Sequence, residues 1–208
     1  NPKSPHFGKV YISNNNTATP GNTGAGRLTT DGIYVLNADG SALSGPHTGG
    51  VNMTIDGSNY SFPYKINWNK DDDCIYLSSY YNDLAYGFNE DFSVITQLID
   101  VSNKTSTSVT NLQFVESVAA KGSRAIGNLT LYAADSNYND ANNRGVRAWN
   151  IGANAAATPG DIGFQVLGPG GFSGYYASDL EIDSLGNFYT CTFRASDNQA
   201  PDVKKWDG

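Results

Sequence analysis

The sequence is poor in the residue type on which hydrolytic catalysis most often depends. Its 208 residues include only two histidines, His6 and His47, and neither stands in a nucleophile motif. Histidine is the usual base of a nucleophile–base pair, and no G-x-S-x-G segment occurs in the chain. A serine-type hydrolase is therefore not expected.

Cysteine is almost as scarce, with only Cys74 and Cys191 in the whole chain. They are far apart in the sequence and have no metal-ligand spacing. A disulfide between them stays open as an alternative. The favoured interpretation is two half-buried thiols that act as small hydrophobic side chains.

Charged residues are also few, at 16% of the chain, and the net charge is −7 with no cluster of basic residues. Nucleic-acid binding needs a positive surface that displaces counterions, so no nucleic-acid partner is expected. An anionic membrane surface is disfavoured for the same reason. No apolar run approaches the roughly 18 residues that span a bilayer, so no membrane insertion is expected.

What the sequence does contain is glycine, tyrosine and polar turn residues. The 23 glycines and 13 tyrosines, with many Asn, Ser and Thr residues, indicate short strands joined by turns. Low charge, polar loops and N-x-S/T triplets together predict a secreted or cell-surface glycoprotein. The candidate glycosylation sites are Asn15, Asn52, Asn59, Asn103 and Asn128.

A tyrosine recurs in four similar segments, GKVYISN, DCIYLSS, LTLYAAD and GNFYTCT. The four tyrosines are Tyr11, Tyr76, Tyr132 and Tyr189, spaced by 65, 56 and 57 residues. A small residue follows two positions after each tyrosine, on the same face of a strand. A second run follows each of these segments and carries an aligned large residue. These large residues are Leu36, Phe88, Trp149 and Trp206.

Further runs complete the repeating unit. Leading strands are predicted at YKINW before Tyr76, at DLEID before Tyr189, and at LQFV (112–115), which a longer loop through 121–124 follows. Trailing strands are predicted at SVITQLI (93–99), at IGFQVLG (162–168), and between 41 and 53. A near-constant period of this size is typical of a propeller, so the predicted fold is an all-β β-propeller of four-stranded antiparallel blades. The β-sandwich is the alternative.

The third and fourth repeats resemble the repeats of NHL and lactonase-like propellers, whose rhythm is ixxDxxGNxYvxxxxxxxVxxWd. The matching residues are Leu180, Asp183, Gly186, Asn187, Tyr189, Val203 and Trp206. The repeat spacing predicts a single β-propeller domain over 1–208, or part of a larger ring, with repeats at about 1–55, 56–108, 109–170 and 171–208. Lactonase-like propellers hold an axial metal through acidic and Asn residues of the inner strands. The corresponding residues here are Asn67, Glu181 and Asp183.

Two acidic segments could bind calcium or form turns. Asp135, Asn137, Asn139 and Asp140 place oxygen atoms at nearly alternate positions, as the start of a calcium loop does. The glycine expected at the sixth position and the glutamate at the twelfth are missing, so no cofactor is expected, with calcium as the one candidate. The run 71–73 of three aspartates is predicted to be a solvated hairpin tip.

Aromatic side chains near strand ends are the candidate ligand contacts, because aromatic rings stack on sugars and peptides. They are Tyr80, Tyr81, Tyr138, Tyr175 and Tyr176. The competing interpretation is that these tyrosines pack between adjacent blades.

These observations favour a non-catalytic extracellular propeller module that binds a protein, a glycan or a copy of itself. The alternative is a lactonase- or hydrolase-like propeller enzyme with an axial metal. The first repeat lacks a leading strand and the last lacks a trailing strand, which would leave two apolar blade faces in water. The remainder of a longer chain, or a partner subunit such as a second copy in a homo-oligomer, is expected to cover them.

Overall fold

In a computed structural model of the chain, the residues described are 2–4, 7–14, 32–41, 51–52, 63–79, 84–88, 95–101, 115–135, 145–168, 175–194 and 203–207. Within these ranges the chain forms fourteen strands and no helix. The strands are β1 (Val10–Asn14), β2 (Gly32–Leu36), β3 (Val51–Asn52), β4 (Pro63–Asn69), β5 (Cys74–Ser79), β6 (Leu84–Phe88), β7 (Ile95–Asp100), β8 (Val115–Lys121), β9 (Leu129–Asp135), β10 (Gly145–Gly152), β11 (Phe164–Leu167), β12 (Tyr175–Ile182), β13 (Phe188–Arg194) and β14 (Val203–Trp206). With no helix in the described residues, no membrane-spanning helix is found there either.

The strands form four antiparallel sheets of three or four strands each. Sheet 1 contains β1–β3, sheet 2 contains β4–β7, sheet 3 contains β8–β11 and sheet 4 contains β12–β14. Within each sheet, strands that are adjacent in the sequence pair with each other, and within the described ranges none of the sheets closes on itself. The all-β prediction is therefore confirmed.

The four sheets share one register around the repeated tyrosine. The residue before each tyrosine lies opposite the aligned large residue of the next strand. These pairs are Val10 with Leu36, Ile75 with Phe88, Leu131 with Trp149, and Phe188 with Trp206. The prediction that the four tyrosines occupy equivalent strands is confirmed.

Adjacent sheets are held together by shared apolar clusters. Ile33 and Val35 of sheet 1 pack with Phe88 of sheet 2, and Tyr76 of sheet 2 packs in the same cluster as Trp149 of sheet 3. Between sheets 3 and 4, the rings of Tyr132 and Phe188 meet edge to face with their centroids 5.1 Å apart. This edge-to-face geometry is the favoured arrangement of two aromatic rings.

The aligned large residues are more deeply buried in sheets 2 and 3 than in sheets 1 and 4. Phe88 and Trp149 are buried, as predicted. Trp206 is partly buried against the cluster between sheets 3 and 4, in line with the prediction, whereas Leu36 is partly buried but is not part of the cluster between sheets 1 and 2. Since Ile33 and Val35 point toward sheet 2, Leu36 lies on the opposite face of its strand. Trp206 lies on β14, which is the edge strand of sheet 4 in the described residues.

The leading strand of the third repeat was predicted too early. It spans Val115–Lys121, so the segment interpreted as a loop is a strand, and residues 112–114 lie outside the described residues. Alanines carry little strand propensity, which concealed this strand in the sequence. Burial explains it, because Val118 and Ala119 are packed in the clusters that join sheet 3 to its neighbours.

The three aspartates at 71–73 form the turn between β4 and β5, where Asp71 is exposed and Asp72 and Asp73 are half-buried. Asp71 accepts a hydrogen bond from the backbone N–H of Gly122 in sheet 3. Asp72 accepts one from the hydroxyl of Tyr76. Asp73 accepts hydrogen bonds from the indole N–H of Trp68 and from the hydroxyl of Ser4. The predicted hairpin turn is therefore confirmed, and each of its carboxylates also ties the turn to a different place.

The repeated tyrosine is linked to the turn that precedes it in two of the sheets. Tyr76 donates its hydroxyl proton to Asp72, and Tyr189 donates to Asp183 at 3.2 Å. Burial is the main cause that raises the pKa of Tyr76, and it also raises the pKa of Asp72. The pattern of tyrosine and turn aspartate thus has a structural cause in hydrogen bonding.

Tyr76→Phe is expected to lower the free energy of unfolding by about 1–3 kcal/mol, because it leaves a partly buried carboxylate without this donor. Tyr189→Phe is the matched control and should have a smaller effect. Asp183 keeps its hydrogen bonds from Leu185 and Asn187 in that variant. Urea unfolding at pH 7 measures both variants, and equal losses would contradict the assignment.

The two cysteines are on different sheets and form no disulfide. Cys74 begins β5 and is half-buried, whereas Cys191 lies in β13 and is exposed. The expected half-burial is therefore correct for Cys74 and wrong for Cys191.

Candidate functional site

The leading strands of sheets 2, 3 and 4 converge, although they belong to separate sheets. Lys65 Nζ in β4 lies 3.2 Å from Asp179 Oδ2 in β12. Ser117 in β8 donates to the other oxygen of the same carboxylate at 2.8 Å. One carboxylate thus joins three sheets, and β4 reaches β12 directly. The lysine and the aspartate both retain solvent access, so the ion pair itself adds little stability.

A cleft with a volume of about 290 Å³ lies toward the far ends of these three strands. The turns that follow the strands contribute its rim. The lining residues used below are Asn67, Trp68, Asn69, Asp71, Lys121, Glu181 and Asp183. Residues of both charges and with amide groups therefore surround one small space.

On the side of the cleft where sheets 2 and 3 meet, Gly122 holds the two sheets together by hydrogen bonds. Asn69 donates from Nδ2 to the carbonyl oxygen of Gly122 at 2.8 Å, and the Gly122 N–H donates to Asp71 at 2.8 Å. Gly122 has φ = +79°, and a β-carbon there would lie 2.3 Å from the carbonyl oxygen of Asn128. Only glycine fits this turn without strain. The local fold therefore fixes Asn69 and Asp71 at the rim.

The opposite wall is the turn between β12 and β13. The carboxylate of Asp183 accepts hydrogen bonds from the backbone N–H groups of Leu185 and Asn187 and from the Asn187 side chain. The side-chain bond from Asn187 is the main cause that lowers the pKa of Asp183 to about 2. Gly186 has φ = +91°, and the Lys121 amine lies 3.0 Å from where its β-carbon would stand. A side chain at position 186 would push this amine away.

Glu181 is a cleft carboxylate whose pKa is shifted by burial, by a hydrogen bond and by a neighbouring charge. Its open side contacts solvent, but partial burial is the main cause that raises the pKa of its carboxyl group. A hydrogen bond with Asn67 opposes that shift, and the negative charge of Asp179 reinforces it. Asn67 also donates to the Leu180 carbonyl oxygen at 3.4 Å. Asn67 thereby holds β4 against β12.

The three residues that the resemblance suggested as metal ligands do line one cleft. Asn67, Glu181 and Asp183 come from two sheets and meet there. Their donor chemistry fits a metal poorly, because both oxygen atoms of Asp183 already accept hydrogen bonds from its own turn. Within the described ranges, no group of three His, Cys, Asp or Glu side chains is arranged to hold a metal ion.

The described tyrosines among the predicted ligand contacts stand at the other end of β12 from this cleft. Tyr80, Tyr81 and Tyr138 lie outside the described residues. Tyr175 and Tyr176 begin β12, opposite Arg194 and Phe193. At about 3.3 Å per residue, Tyr175 is roughly 20 Å from Glu181 along the strand. Ligand binding by these tyrosines stays a prediction.

The remaining predicted site residues are only partly described. Asp135 is the last residue of β9, and the other calcium candidates, Asn137, Asn139 and Asp140, lie outside the described residues. Asn15, Asn59 and Asn103 lie outside them too, and Asn52 is in β3. Asn128 is exposed, and its Oδ1 accepts the Ser123 N–H at 2.8 Å. Glycosylation of these sites stays a prediction.

Sequence reasoning missed Asn69, Asp71 and Lys121 as site residues. Their positions in the sequence could have indicated the site, because each of them stands at or just after the end of a leading strand. Equivalent positions of a repeat lie at the same end of their sheets. Polar residues at the C-terminal ends of the leading strands are therefore predicted to lie close together when β8 is placed at Val115–Lys121.

Comparison with known proteins adds no relative, because no protein-family model, no curated protein and no solved structure matches this chain.

Proposed function

We propose that this chain is a secreted or cell-surface, non-catalytic binding module of β-propeller type, and that the cleft between β4, β8 and β12 binds its ligand. The observation that carries the proposal is the meeting of three leading strands at a cleft lined by carboxylates, amides and a lysine. The common register of the four sheets and their serial packing support the propeller arrangement.

The chemistry of the cleft favours a glycan among the ligands that such a module could bind. Glu181 and Asp71 supply acceptors and Lys121 supplies donors, which match the hydroxyl groups of a sugar. Trp68 also lines the cleft, and 45% of its surface is exposed. Its indole N–H is bonded to Asp73, and alternation along β4 places its ring on the face opposite Asn67 and Asn69, so the polar groups carry the proposed sugar binding.

Glycan-array screening of the fluorescently labelled chain tests the proposal, followed by calorimetry with the best ligand. Glu181→Gln is expected to weaken binding by about tenfold, because a charge-assisted hydrogen bond becomes a neutral one. Leu185→Ala is the control, since Leu185 is 83% exposed on the neighbouring turn and does not line the cleft. Absence of glycan binding, or equal affinity of the Glu181 variant, would reject the glycan site.

The second candidate is a lactonase- or hydrolase-like enzyme with an axial metal. The position of Asn67, Glu181 and Asp183 along one cleft favours it, and the hydrogen bonds already made by Asp183 weigh against it. Metal analysis of the purified protein separates the two candidates. One tightly bound calcium ion per chain, with hydrolysis of a lactone, would favour the enzyme.

A further inference from the structure

A second concave surface lies between sheets 1 and 2, and Trp68 lines both this surface and the proposed glycan cleft. This groove has a volume of about 510 Å³. Its floor and walls are mostly apolar or aromatic, and its lining residues are Ser4, Phe7, Lys9, Val10, Tyr11, Ile66, Trp68 and Ile75. It continues the buried cluster between the two sheets, because Tyr11 and Ile66 pack against that cluster. Among the described residues, the groove therefore extends an established interface.

The repeat shows what occupies this position in the other sheets. In sheets 2 and 3, the leading strand places a residue directly across from the repeated tyrosine. These residues are Asn67 opposite Tyr76 and Ala119 opposite Tyr132, and both are buried. In sheet 1, β1 carries the tyrosine and is paired only by β2 within the described ranges. The groove lies where the leading strand of sheet 1 would run.

The walls of the groove are held in place by one carboxylate. Asp73 accepts the indole N–H of Trp68 at 2.8 Å and the hydroxyl of Ser4 at 2.8 Å. These bonds fix the Trp68 ring and anchor the segment that leads to Phe7, which is 64% exposed. A preorganised apolar groove beside a strand edge is the arrangement that accepts an added β-strand.

We propose that this groove binds an extended peptide strand, supplied by another polypeptide, that pairs antiparallel with β1 as a fourth strand of sheet 1. The peptide residue opposite Tyr11 would be small or apolar and would enter the groove. In sheet 3 the equivalent residue is Ala119, which lies opposite Tyr132. The residue opposite Lys9 would be acidic, because Lys9 lines the same groove and cross-strand opposite charges attract. Backbone hydrogen bonds to β1 would provide affinity, and these two positions would provide selectivity.

The probe is a fluorescein-labelled peptide that copies Val115–Lys121 with glutamate in place of the final lysine. That last residue pairs with Thr130, the counterpart of Lys9 two positions before the tyrosine. Titration with the full chain, followed by fluorescence anisotropy, is expected to show saturable binding. A peptide N-methylated at alternate amides should bind at least about tenfold more weakly, because the methyl groups block pairing with a strand.

Charge reversal tests the register. Lys9→Glu should weaken the glutamate peptide and strengthen the unmodified lysine peptide, each by several fold. Lys205→Glu makes the same charge change on the exposed side of β14 and should leave both affinities unchanged. Trp68→Ala should weaken both peptides, and circular dichroism checks that each variant retains its sheet content.

Three results would overturn the proposal. The first is absence of saturable binding, and the second is equal binding of the N-methylated peptide, which would indicate a side-chain pocket instead. The third is slow hydrogen exchange of β1 amides on both of its edges in the free chain, which would mean that another segment of the chain already occupies the position. None of these results bears on glycan binding at Glu181, so the two proposals fail independently.

Discussion

Replacing Trp149 with alanine is expected to lower the free energy of unfolding by about 3–5 kcal/mol. Trp149 is 3% exposed and belongs to the apolar cluster that joins sheets 2 and 3. Its indole N–H also donates to the carbonyl oxygen of Asp161 at 2.8 Å. Truncation therefore leaves a cavity between two sheets and removes the donor for that oxygen. Urea unfolding followed by circular dichroism measures the loss.

Trp68→Ala is the control for this prediction, since it removes the same side chain from an exposed position. Trp68 is 45% exposed, and its ring leaves no enclosed cavity when it is removed. Its loss should cost much less stability than that of Trp149. A similar cost for both variants would mean that Trp149 does not join the two sheets.

Gly122→Ala is expected to cost about 1–3 kcal/mol for its positive φ, with a further cost from a steric clash. The added β-carbon would lie 2.3 Å from the carbonyl oxygen of Asn128, which is backbone and cannot rotate away. The turn must therefore shift, and with it the hydrogen bond that Gly122 accepts from Asn69 and the one that it donates to Asp71. This variant should lower both the melting temperature and the affinity of the cleft for its ligand.

Gly40→Ala separates the two contributions to that cost. Gly40 has φ = +82°, and a β-carbon there would meet nothing within 4 Å. Its substitution therefore carries the conformational cost alone. The difference between the two unfolding free energies gives the cost of the clash at Gly122, and no difference would contradict the geometry of that turn.

The order of the strands could be predicted from the sequence because it depends on local patterns. Alternating residues around Tyr76 and Tyr189, and turn residues between the runs, are sufficient to place most strands. The leading strand with Ala119 and Ala120 was missed, because small side chains give no alternating signal. Its burial comes from neighbouring sheets, and no local pattern reports that.

The candidate site could be predicted only in part. Asn67, Glu181 and Asp183 were singled out because a family pattern marked the leading strands, and the structure places them along one cleft. Contacts such as that of Asp71 with Gly122 join positions 51 residues apart. Such contacts depend on how separate sheets are oriented, which spacing within one repeat does not determine.

Successive sheets pack through two different faces, always in the same order along the chain. Each interface takes a tyrosine from the earlier sheet, namely Tyr11, Tyr76 or Tyr132, and a bulky third-strand residue from the later one. The two faces of a sheet are therefore different, and neither is complementary to itself. A two-fold dimer formed through either outer face would bring like surfaces together, whereas a head-to-tail contact would repeat the existing interface. Any additional sheet that packs in this way must join sheet 4 by its bulky-residue face, or sheet 1 by its tyrosine face.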